Sequence, residues 1–85
     1  MPNVSAKARR FAANLNRDHL NMIIQGFAAK KVGELVEIST IASERTCNEL
    51  VELGIFKSAH GTLCYFELAD EVLAADVAAV LAENG

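Results

Sequence analysis

Tryptophan is absent, proline occurs once, at Pro2, and only Cys47 and Cys64 carry thiols. With its one proline at the start, no later helix or strand is broken by a missing amide. Two cysteines 17 positions apart fit neither a disulfide framework nor the spacing of a metal box, so both are expected as buried thiols. No apolar run is long enough to cross a bilayer, and the start lacks the charged-then-apolar pattern of a signal peptide. The expected setting is cytoplasmic. No Ser/His/Asp arrangement, no carboxylate pair in a glycine-rich cleft and no phosphate loop is visible, so neither an enzyme nor a cofactor or metal is expected. His19 precedes an apolar stripe and reads as structural or exposed, not as a ligand.

Acids are missing from the first 17 residues, and bases are scarce after residue 31. Lys7, Arg9, Arg10, Arg17, Lys30 and Lys31 stand against Asp18 alone, whereas residues 32–85 carry only Arg45 and Lys57 against ten acids. The net charge of −3 thus hides a basic arm on an acidic body. The arm suits an anionic partner; the body repels nucleic acid.

What is abundant is apolar side chain, 52% of 85 residues, enough for one modest core. Val4, Ala8, Phe11, Ala12 and Leu15 share a helical face, with Ser5 or Asn3 as cap. Leu20, Ile23, Ile24 and Phe27 form a second stripe, capped by Asp18 and ended by Gly26. Val32, Leu35, Val36 and Ile38 give a short helical pattern over 30–38. Ser39 or Thr40 then caps a helix that Gly54 stops. Two β-rich runs, Ile55–Ser58 and Thr62–Leu68, flank Ala59-His60-Gly61 and predict a hairpin in which Cys64, Phe66 and Leu68 share one face. Asp70 caps a last, alanine-rich helix to about Glu83. The chain is one domain over 1–85, with 1–17 a basic helix or arm and 70–83 a closing helix.

The order helix, helix, helix, hairpin, helix, with an extra helix at the N-terminus, is the plan of a winged helix-turn-helix domain: mainly α with a small β-hairpin (α-α-α-β-β-α). The segment EISTIASERTCNELVELGIF resembles the turn and recognition helix of ArsR-type and MarR-type transcriptional regulators, through Ile38, Ser39, Leu50, Gly54, Ile55 and Phe56. KSAHGTLCYFELADEVL resembles the wing and the start of the closing helix. The chain departs from the pattern at Glu37, where glycine is usual, and at Cys47, where a larger aliphatic residue is usual.

The resemblance implies a small DNA-binding regulator. Thr40, Ile41, Ala42, Glu44, Arg45 and Asn48 would face a major groove, with Arg45 reading guanine and Asn48 adenine. Lys57, Ser58, His60 and Thr62 would sit at the wing, and Lys7, Arg9, Arg10 and Arg17 would lie along phosphates of double-stranded DNA. Two copies would pair as a homodimer through Phe11, Leu15, Leu73, Val77, Val80 and Leu81. Against this stands the acidity of the same helix, with Glu44, Glu49 and Glu52, since counterion release supplies most DNA affinity. The alternative is a winged-helix protein–protein interaction module without DNA binding, its acidic half imitating nucleic acid.

Overall fold

The computed structural model describes residues 4–61 and 64–84. In chain order the elements are α1 (Ala6–Ala12), α2 (Arg17–Lys31), β1 (Val36–Glu37), α3 (Ile41–Glu52), β2 (Phe56–Ser58), β3 (Tyr65–Leu68) and α4 (Glu71–Asn84). The molecule is mainly helical, with a three-stranded antiparallel sheet in the order β1-β3-β2. Val36 pairs with Phe66 and Glu37 with Tyr65 on one side of β3; Phe56 pairs with Leu68 and Lys57 with Glu67 on the other.

Each helix begins at a side chain that accepts an otherwise orphaned amide. Ser5 Oγ accepts from Ala8 N at 3.1 Å, Thr40 Oγ1 from Ser43 N at 3.1 Å, and Asp70 Oδ1 from Leu73 N at 3.0 Å. The second cap is Asn16 and not Asp18: Asn16 Oδ1 accepts from Asp18 N at 2.8 Å. His19, three residues on, accepts the Asn16 amide at Nδ1, 3.1 Å away, which closes a capping box. Asp18 stays in the first turn, where its charge suits the helix dipole.

The ends of α2 and α3 share one device. At α2 the amides of Gly33 and Glu34 return to Lys30 O and Ala29 O; at α3 those of Gly54 and Ile55 return to Val51 O and Leu50 O. Both are Schellman closures with glycine at a left-handed φ, 75° at Gly33 and 78° at Gly54. Gly33 therefore ends α2, and the expected short helix over 30–38 does not form. The chain leaves Gly33 extended, and Val36–Glu37 joins the sheet as β1. Alternate apolar residues served the sheet edge better than a helix that glycine had already closed.

Gly26, expected to end α2, lies well inside it and is buried. A Cβ built there would stand 2.9 Å from the Phe56 ring and 3.2 Å from Leu68. The residue is glycine because α2 lies directly on the sheet at this point, not because the helix stops. Around that contact sit the fully buried Ile23, Leu50, Ile55, Phe56, Phe66, Val77 and Cys47. On the other side of the molecule α1 packs on α4, burying Ala8, Ala12, Leu73, Val77, Val80 and Leu81.

A methyl at Gly26 tests this contact. At an open mid-helix site Gly→Ala gains about 1 kcal/mol. Here overpacking against a ring that cannot move outward costs about 1–3 kcal/mol. Gly26→Ala should lower the unfolding free energy in urea, and Gly26→Ala with Phe56→Leu should recover part of that loss. A more stable single variant would refute the close approach.

Candidate macromolecule-binding surface

The outward face of α3 is the most distinctive surface. Ile41 opens it at 82% exposure, an unusual position for a large aliphatic side chain. Ile41, Glu44, Arg45, Asn48, Glu49 and Glu52 line a shallow groove of about 300 Å³. Because α3 advances 3.6 residues per turn, positions 41, 44, 45, 48 and 52 recur on one side, while Cys47 and Leu50 point into the core. Three carboxylates against one guanidinium make the face acidic. A second groove, about 240 Å³, runs between α2 and α3 past Asp18, Asn21, Gln25, Ser43 and Thr46.

One buried polar side chain ties this face to α2. His19 is 5% exposed, and its Nε2 lies 2.8 Å from Glu49 Oε1. Nδ1 lies against Asn16, and Nε2 donates to the Glu49 carboxylate, which can only accept. Both ring nitrogens are thus satisfied, as burial demands. Of the two placements expected for His19, structural or exposed, the buried one holds. Its link to Glu49 was not foreseen; the sequence signal was its place three residues after Asn16, where a capping-box partner belongs.

The residues assigned to DNA contact do not gather into one surface. Ile41, Glu44, Arg45 and Asn48 do share the α3 groove. Thr40 is committed to capping, since its hydroxyl accepts Ser43 N and donates to Ser43 Oγ at 2.9 Å. Lys57 is exposed but stands across from Glu67 in the ladder, so opposite charges face each other on the hairpin. His60 is exposed in a left-handed conformation, φ 57°, edge-on to Tyr65. Thr62 lies outside the described residues. Lys7, Arg9 and Arg10 lie exposed on α1, which packs on α4, whereas α3 packs on α2 and β2. Arg17 opens α2. The tertiary fold therefore does not pack the basic helix beside α3.

The expected dimer residues are mostly spent inside one chain. Leu73, Val77, Val80 and Leu81 are buried in the core, with Phe11 and Leu15 packed against it. The apolar stripes of the first and last helices face each other and are largely covered within one chain. Among the described residues the large apolar side chains left exposed are instead Ile24, Val32, Ile41 and Val72. Among the described residues no group of three or more His, Cys, Asp or Glu side chains could hold a metal, and no helix is long and apolar enough to cross a membrane.

The thiols also part ways. Cys47 is fully buried, and desolvation pushes it up from 9.0 to about 12. Cys64 is exposed, contrary to expectation: its carbonyl still accepts from Ile38 N at 2.8 Å, but it lies just before β3 and does not share the burial of Phe66 and Leu68. A thiol reagent should therefore modify Cys64 quickly and Cys47 only after denaturant, since the thiolate is the nucleophile. Two slow thiols would contradict the placement. The raised value at Cys47 also links to stability. The folded state holds this proton more tightly than the unfolded chain, so the contribution is complete below about pH 9 and is lost as pH rises towards 12. Between about pH 8 and pH 10.5, Cys47→Ala should lose less unfolding free energy than the natural chain; equal losses would refute the linkage.

No family model, no characterised protein and no solved structure matches this chain.

Proposed function

We propose that this protein is a winged-helix-type interaction module that uses the outward face of α3 to grip a basic protein surface, without catalysis and without reading DNA. Support for the winged-helix part comes from α3 running directly into a hairpin whose return strand, β3, also pairs with the earlier strand β1. Only Ile38, Ser39 and Thr40 separate β1 from α3, which leaves no room for the first helix of a helix-turn-helix pair. The observation that carries the functional part is the composition of the α3 groove: Glu44, Glu49 and Glu52 against Arg45, around the exposed Ile41. Such a face repels a phosphate backbone and attracts cations, and an isolated aliphatic knob offers a contact that a dry protein pocket rewards.

A second reading keeps the DNA-binding regulator. Arg45 and Asn48 on the exposed face of a helix, beside a hairpin bearing Lys57 and His60, favour it. The two readings separate under one titration. Fluorescence anisotropy with a labelled duplex at low salt should show no binding. A lysine-rich helical peptide should bind, more weakly at high salt, and should lose affinity on Glu44→Lys and on Ile41→Ala. Duplex binding whose log–log salt slope drops by about 0.9 on Arg45→Ala would overturn the proposal in favour of DNA.

A further inference from the structure

The chain carries both halves of a charge-complementary pair, on helices that do not pack together. Lys7, Arg9 and Arg10 are exposed on α1 with no ion pair among the described residues, and Lys7 lies over the Phe11 ring, 5.6 Å from its centre. No acid occurs before Asp18 to neutralise them. By contrast Lys30, at the end of α2, is paired with Glu71 of α4. The α1 cations thus form an exposed cluster on one helix. At the end of α1 the surface dips into a cleft of about 280 Å³ walled by Leu15, Leu20 and Leu81 together with Asn16, Arg17 and Asn84. The cleft, three leucines set among three polar residues, begins three residues past the last turn of α1, which carries Arg9 and Arg10, and the α3 face presents an exposed aliphatic knob among carboxylates.

We infer that copies of this chain associate head to tail, with Ile41 of one copy seated in the Leu15/Leu20/Leu81 cleft of the next and Glu44 and Glu52 set against Arg9 and Arg10. This inference rests on the reading of α3 as a protein-gripping face and names its occupant. The contact joins two different surfaces, so it is heterologous and builds a ring or an open chain, not a two-fold dimer. Burying the knob supplies apolar contact; the flanking charges set orientation and make assembly sensitive to salt. A nucleic-acid backbone would also satisfy the α1 cations, but it would leave Ile41 and the cleft unused.

A charge exchange tests the arrangement. One variant carries Arg9→Glu and Arg10→Glu; the other carries Glu44→Lys and Glu52→Lys. All four positions lie on helix surfaces, and circular dichroism checks that each variant folds. In sedimentation velocity at low salt the natural chain should form species that grow with concentration past the dimer and shrink as salt is added. Each variant alone should be monomeric, since both of its faces then carry one sign. An equimolar mixture should assemble again. Ile41→Ala, which leaves every charge in place, should weaken association on the order of tenfold. A natural chain that stays monomeric at high micromolar concentration, a stop at the dimer, or a mixture no larger than its parts would overturn the inference. If that monomer still binds the lysine-rich peptide through Glu44, the interaction-module reading stands while the head-to-tail contact falls. If it binds neither, both fall; if it binds duplex DNA through Arg9 and Arg10, the α1 cations belong to phosphate and the contact is wrong.

Discussion

The flat approach of α2 to the sheet, with the Phe56 ring against the backbone of Gly26, organises the rest of the molecule. A helix with a side chain at position 26 would have to stand off from β2 and β3. Because it does not, Phe56, Phe66 and Leu68 fill the space below α2, and Ile23 and Leu50 close it from the helices. Interiors are packed close to crystal density, so moving one ring propagates to every neighbour. The position of α3 follows from the same contact. α3 runs through its Schellman closure into Ile55 and Phe56, and Leu50 and Ile55, which that closure brings together, are both fully buried. Placing Phe56 under α2 therefore sets where α3 starts its run and which of its faces looks outward.

Polar links then hold that orientation. His19 uses one ring nitrogen to complete the cap of α2 and the other to hold Glu49 of α3. A buried imidazole with both nitrogens satisfied has one low-energy orientation, so the angle between the two helices is restricted where packing alone would allow slippage. At the opposite end of α2, Lys30 reaches Glu71 on α4. That pair is exposed and adds little stability. It does take one of the six N-terminal bases out of the pool available to a partner, which leaves α1 as the basic surface of the molecule.

Basic and acidic side chains are separated in space on this molecule. A helix that advances on a phosphate backbone needs cations beside it, and here they sit on α1 while α3 is lined with glutamates. The hairpin does not correct this, since Lys57 faces Glu67 across the ladder. Ile41 is an exposed aliphatic side chain in an acidic setting, and a half-apolar cleft lies past the end of the basic helix. Both are better suited to protein than to nucleic acid.

Periodicity and caps made four helices, the hairpin and most of the core legible in the sequence, because Ser5, Thr40, Asp70 and Gly54 act on neighbours three or four residues away. The basic arm and acidic body were likewise plain from composition. What misled was local ambiguity. Val32, Leu35, Val36 and Ile38 fit a helix as written, and only pairing with the distant Phe66 and Tyr65 makes the segment a strand. Gly26 looked like a terminator because a glycine needed for close approach to Phe56, 30 residues away, carries the same letter as one needed for a left-handed cap. The stripes on the first and last helices announced a surface to be covered but not by what; α1 and α4 cover each other. Sequence by itself determined the elements, since caps and periods are short-range. Tertiary structure alone decided which apolar faces were consumed and which charges were left facing solvent, because burial depends on partners that the chain brings together only by folding.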